Sequence, residues 1–173
     1  SNAMDISFTE EQEMLRKAAK DFLVAECPKK KVRELEEDDK GYSPEIWKKM
    51  ADLGWQGMII PDKYGGQGMT FQDFAILLEE MGRNILPGPF LCTVIEGALP
   101  ILDAGTEEQK KEFLPKIANG ELIFTMAQTE PNGLYDASGI TVKATAKGDG
   151  FVIKGTKVFV EMANVADYFL CVT

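Results

Sequence analysis

Two short stretches carry the side chains and turns best placed to do chemistry. The first is Met126 to Asp136, MAQTEPNGLYD, where a strand-like run ends in Thr-Glu-Pro and passes into an Asn-Gly turn. One reading is a plain strand-to-loop boundary closed by a turn glycine. The other is that main-chain amides and the Thr129 hydroxyl project from a rigid strand end toward a flat polar ligand. A flavin asks for such donors, because negative charge gathers near its N1 and C2 carbonyl on reduction. The second stretch is Gly155 to Asp167, GTKVFVEMANVAD, in which Phe159 either shields one face of such a ring or fills a sheet core. Gly65-Gly66-Gln67-Gly68, just before a helix pattern, resembles a dinucleotide phosphate loop only in part. A G-x-G-x-x-G starting at Gly66 needs glycine where Phe71 stands, and no βαβ alternation surrounds it. A tight loop with positive-φ glycines is expected there instead.

Composition removes several other chemistries. The chain of 173 residues has no histidine, so a His-based triad or His metal site cannot be built from it. Cys27, Cys92 and Cys171 are far apart, odd in number and without CxxC spacing; no metal site is expected, and the thiols read as buried or idle. A formal charge of -9 opposes a broad nucleic-acid surface. No apolar run approaches the ~18 residues of a membrane span, so a soluble, cytoplasmic protein is expected. Ser1-Asn2-Ala3 before Met4 reads as an expression scar and is left out of fold reasoning.

The elements that must position these stretches divide into helices, then strands. Thr9-Glu10-Glu11-Gln12 and Thr106-Glu107-Glu108-Gln109 are capping boxes, and Ser43-Pro44 and Thr70 open two more helices. Leu15, Ala18, Ala19, Phe22 and Leu23 give the first helix its apolar face, and Ile46, Trp47, Met50 and Leu53 the third. A charged helix is expected from Pro28 through Asp39, one from Phe71 to about Arg83, and an apolar one from about Phe90 to Asp103. From Glu121 the period becomes two. Strands are expected over 122–128, around Ile140 to Thr145, from Phe151 with a continuation at Val158 to Val160, and over 168–172, with a hairpin turn at Lys147-Gly148-Asp149-Gly150. Helices followed by strands mean an α+β chain. The expected units are an all-α bundle over 4–120 and, over 121–173, the first strands of an antiparallel, barrel-like β domain that stops short.

PDKYGGQGMT (Pro61 to Thr70), LLEEMGR (Leu77 to Arg83), GTEEQKKEFLPKIANGE (Gly105 to Glu121), AQTEP (Ala127 to Pro131) and GTKVFV (Gly155 to Val160) follow one another in this order. Each is similar to a block of the acyl-CoA dehydrogenase family at comparable spacing, and the resemblance runs from Met4 onward. It implies an oxidoreductase that turns an acyl-CoA thioester into its trans-2-enoyl form, with FAD as cofactor. A carboxylate takes the α proton, the β hydride passes to flavin N5, and electrons leave through an electron-transfer flavoprotein. A homo- or hetero-oligomer is implied for the full-length protein. The alternative is a non-catalytic subunit or interaction module of the same descent.

Carried over by position, the resemblance makes Gln128 a main-chain donor and Thr129 a hydroxyl donor to the flavin. Phe159 packs against the isoalloxazine, Glu161 approaches its N5/O4 edge, Met126 borders the flavin or acyl site, and Tyr135 lies by the phosphate and thioester region. The family's base lies in a second helical domain that this stretch does not include, so no catalytic residue is nominated here. Glu130 is read as a structural acceptor of backbone amides at its turn. Two departures stand out: Leu134-Tyr135 replace a small Gly-Ser pair, and Glu161 replaces a common Thr, placing negative charge where a flavin gains electrons.

Overall fold

The computed structural model describes residues 7–173; Ser1-Asn2-Ala3 lies outside the described residues. α1 (Glu10–Glu26) begins at Thr9, whose hydroxyl accepts from the Gln12 amide while the Gln12 side chain accepts from the Thr9 amide. That satisfies donors the first helical turn would otherwise leave unpaired. α2 (Lys29–Glu36) is shorter than its charge pattern suggests, because the chain turns away before Gly41 (φ 69°). α3 (Pro44–Asp52) is capped by Ser43 and buries Ile46, Trp47 and Met50. Leu53, expected on the same stripe, is the C-cap residue and 49% exposed. α4 (Phe71–Arg83) starts at a Thr70–Asp73 capping box and packs on α1.

In the loop before α4, Gly65 (φ 84°) and Gly68 (φ 60°) take the left-handed conformation expected of them. Gly66 serves a different purpose: a Cβ there would meet the Ile60 carbonyl oxygen at 2.0 Å.

The apolar helix after Pro89 has three parts: α5 (Phe90–Thr93), a π-helical segment (Val94–Ala98) and α6 (Leu99–Ala104). α7 (Glu107–Ala118) follows, with the Thr106–Gln109 box at its start. The main core gathers Leu23, Trp47, Met50, Trp55, Phe74, Leu77 and Phe90. Its rings meet mostly edge to face, as between Phe22 and Trp55 at 5.0 Å and Trp47 and Phe90 at 6.4 Å. A second core joins Ile60, Tyr64, Ile101, Leu114 and Ile117 to Phe124, which belongs to a strand.

Four strands follow: β1 (Phe124–Ala127), β2 (Lys143–Lys147), β3 (Gly150–Lys154) and β4 (Tyr168–Cys171). β2 and β3 form the expected antiparallel hairpin, with Gly148 (φ 60°) in its turn. β1 and β4, however, pair in parallel, Phe124 opposite Tyr168 and Ala127 opposite Cys171. The segment after β3 crosses back along the molecule before β4 begins, so the last strand enters in the direction of the first. Val158 to Val160 is not a strand: Phe159 has φ 56°, which breaks the extended path. The whole is α+β, with no closed barrel among the described residues. None of the described helices is long and apolar enough to cross a membrane.

β1 lies directly against the π segment. The Phe124 amide donates to Thr93 Oγ1 at 3.2 Å, and that hydroxyl donates to the Phe124 carbonyl at 3.4 Å. Gly97 completes the approach, since a Cβ there would stand 2.5 Å from Phe124 Cβ. Helix and strand touch at the backbone only because residue 97 has no side chain.

Candidate functional site

At the end of β1 the chain enters Gln128-Thr129-Glu130-Pro131, and Glu130 fixes this turn from within. Its buried carboxylate accepts the amides of Thr141 at 3.0 Å and Val142 at 3.2 Å, the Thr141 hydroxyl, and Lys157 Nζ at 2.9 Å. The Thr141 hydroxyl and the Lys157 ammonium hold its pKa far below the usual carboxylate range, down to about 2. Glu130 therefore stays charged and structural, as the turn suggested.

Lys157 also donates to the Gln128 carbonyl at 3.0 Å, and the Val158 amide donates to the Thr129 carbonyl at 2.8 Å. Further along, the hydroxyl of Thr125, itself fully buried, donates to the Glu161 carbonyl at 2.6 Å. Three points of attachment thus staple the segment around Phe159 to the end of β1. Between the staples Phe159 takes a left-handed backbone conformation, and its side chain is 91% exposed. A bulky residue at positive φ costs of order 1–3 kcal/mol and persists only where its surroundings over-determine it. The staples supply that constraint.

A cavity of about 110 Å³ opens beside this ring, lined by Glu96, Met126, Gln128, Thr129, Phe159 and Glu161. Five sequence candidates, far apart in the chain, therefore share one wall. Gln128 and Glu161 are exposed, while Met126 and Thr129 are half-buried. The Thr129 hydroxyl and the two glutamate carboxylates have no hydrogen-bond or ion-pair partner among the described residues. Tyr135 stands apart: it sits on the loop after the turn, 89% exposed, outside this lining. A broader, mostly apolar hollow of about 400 Å³ lies on the other side of Met126, between α6, Phe113 and β4.

Glu96 was not among the sequence candidates. It comes from the π segment, whose extra residue per turn re-aims side chains relative to a regular helix. A signal existed: it is the lone charge in the run Phe90 to Leu102. Cys92, one turn earlier, is buried, and burial pushes its thiol up to about 11, with the charges of Glu96 and Glu161 acting in the same direction. That thiol is protonated and unreactive near neutrality.

Chemically, the site offers one exposed aromatic face, one free hydroxyl and a strand end with its main chain held in place. These fit a flat, uncharged, hydrogen-bonding ring. Among the described residues the Thr129 hydroxyl is hydrogen-bonded to neither glutamate, so the lining holds no assembled nucleophile-and-base pair.

The fold and sequence have clear relatives. Residues 9–121 match the family described as acyl-CoA dehydrogenase, N-terminal domain. A probable acyl-CoA dehydrogenase of Bacillus subtilis, YngJ, is 36% identical over 94% of this chain and 43% of its own length. Subunit CarC of the caffeyl-CoA reductase-Etf complex of Acetobacterium woodii is 34% identical over 92% of this chain and 42% of its own. Among solved structures, the ChsE4-ChsE5 complex from Mycobacterium tuberculosis superposes with a TM-score of 0.84 at 34% identity, over 96% of this chain and 42% of that one. The chain thus spans less than half the length of the proteins it matches. With its helical part matched throughout and its strands superposing on the same architecture, this chain belongs to the acyl-CoA dehydrogenase family.

Proposed function

We propose that the full-length protein is an FAD-dependent acyl-CoA dehydrogenase and that this chain forms one wall of its flavin site. The observation that carries the reading is Phe159: an exposed ring held at positive φ beside a cavity with the free Thr129 hydroxyl. Strain of this kind points to a site that needs the ring where it is. In this reading Phe159 packs on the isoalloxazine, Thr129 and the Gln128 main chain donate to its edge, Met126 borders the ring and the acyl group, and Glu161 faces the N5/O4 edge. Tyr135, on its exposed loop, lies toward the phosphates and thioester. When bound, the flavin supplies an acceptor for the β hydride at N5 while a carboxylate outside this chain takes the α proton. The chain's own residues hold and orient the ring and exclude water from one face, so the isolated stretch is inactive. Electrons pass onward to an electron-transfer flavoprotein.

Purified full-length protein should be yellow, and its flavin absorbance should bleach when a member of an acyl-CoA panel is added anaerobically. Phe159→Ala and Thr129→Val should each lower flavin occupancy without unfolding the protein. A colourless full-length protein that ignores every thioester in the panel would falsify the reading.

A second reading, a subunit without its own catalysis, is favoured by the two carboxylates that face the cavity and by the bulk of Leu134-Tyr135. It predicts a co-purifying relative that carries the working flavin. Full flavin content in a homo-oligomer would dismiss it.

A further inference from the structure

We infer that Glu96 and Glu161 together lower the reduction potential of the flavin held against this wall, making its reduced form a stronger reductant than neutral side chains would allow. The inference rests on the flavin reading above and concerns only how this chain's residues tune the ring. Two observations carry it. Both glutamates line the same cavity as Thr129 and Phe159, although one comes from the π segment and the other from the stapled segment after Phe159. And neither carboxylate has an ion-pair or hydrogen-bond partner among the described residues, so neither charge is cancelled locally.

The oxidised ring is neutral, and a nearby carboxylate costs it little. Taking up two electrons and one proton leaves net negative charge on the ring, which two uncompensated carboxylates on a half-buried wall oppose through space. Glu96 matters more than its distance in sequence suggests. It is half-buried, whereas Glu161 is exposed, and a charge withdrawn from water is screened less. The sole bases for this pairing are the π segment's geometry and the stapling of Glu161 through its own carbonyl to Thr125. The consequence is a site biased toward giving electrons up, to an unsaturated thioester or to a protein acceptor, rather than toward holding them.

The test uses full-length flavin-loaded protein and dye-equilibration measurement of the two-electron potential at fixed pH and salt. Glu96→Gln and Glu161→Gln should each shift the equilibrium toward the reduced flavin by about tenfold, a rise of about 30 mV for a two-electron couple, and the double variant should rise further. Glu161→Asp, which keeps the charge, should stay near wild type, and so should Glu10→Gln on distant α1. Charge-neutral variants that hold flavin yet keep the wild-type potential, or move it downward, overturn the inference alone. A full-length protein that binds no flavin overturns both the inference and the reading beneath it.

Discussion

Strand β1 and the hairpin β2–β3 lie close together in the sequence and meet opposite fates. β1 is almost wholly buried: Phe124 stacks on Tyr168 at 5.3 Å, meets Phe113 edge to face at 5.6 Å, and sits in a helical core. Every residue of β2 and β3 is exposed, including Phe151 at 73% and Ile153 at 48%. Local rules alone form the hairpin, through alternation and a glycine turn, and a two-stranded hairpin of that kind is marginal in water by itself. β1 has weak local signals and strong tertiary ones. β1, which carries Met126 and leads into Gln128 and Thr129, is of the second kind, anchored by burial at the base of the site.

That contrast can be broken at graded cost. The largest loss is expected from Phe124→Ala, about 3–5 kcal/mol for removing a buried aromatic, read by urea denaturation of the chain. A loss below ~1 kcal/mol would mean that β1 is held by its parallel ladder and not by its burial. Glu130→Gln comes next, since it leaves buried Lys157 without its counter-charge. Its pH dependence sharpens the point. The folded pKa of Glu130 is depressed from the ordinary 4.5 to about 2, so its contribution is present above pH ~4.5 and disappears as pH falls toward 2. Wild type and Glu130→Gln should therefore differ in thermal midpoint at neutral pH and converge in acid; a gap independent of pH would show that packing, not charge, holds the turn.

Thr93→Val, which leaves the Phe124 amide unpaired beside the π segment, should cost about 1–3 kcal/mol. Hydrogen exchange should report it first at the amides of β1. The smallest effect belongs to the hairpin: Phe151→Ser should change stability by no more than about 0.5 kcal/mol. A larger loss in the 173-residue chain would mean that this face is covered, for instance by self-association, which light scattering would detect.

The same contrast explains what the sequence makes legible. Thr9, Ser43, Thr70 and Thr106 announce their helices because capping is a contract between residues three apart, and all four caps form. The hairpin turn at Gly148 is local in the same sense. Phe159 looks like part of a strand in sequence and is not, because its conformation is imposed by staples from Gln128, Thr129 and Thr125, residues roughly thirty positions away. The π segment was invisible for the same reason: nothing in Val94–Ala98 marks an extra residue in the turn except one charge in an apolar run. Thr129 and Phe159 were nameable from the residues themselves and Met126, Gln128 and Glu161 in their roles through the resemblance, whereas Glu96 enters the site only through the fold.

Because a missing side chain at Gly97 lets helix and strand abut, and Thr93 clasps the same spot, the walls carrying Glu96 and Met126 behave as a single rigid jaw. The part of the lining that carries Phe159 is held by hydrogen bonds to Thr125, Gln128 and Thr129. A guest therefore meets a lining fixed in two ways, by close packing at Gly97 and by polar ties on either side of Phe159.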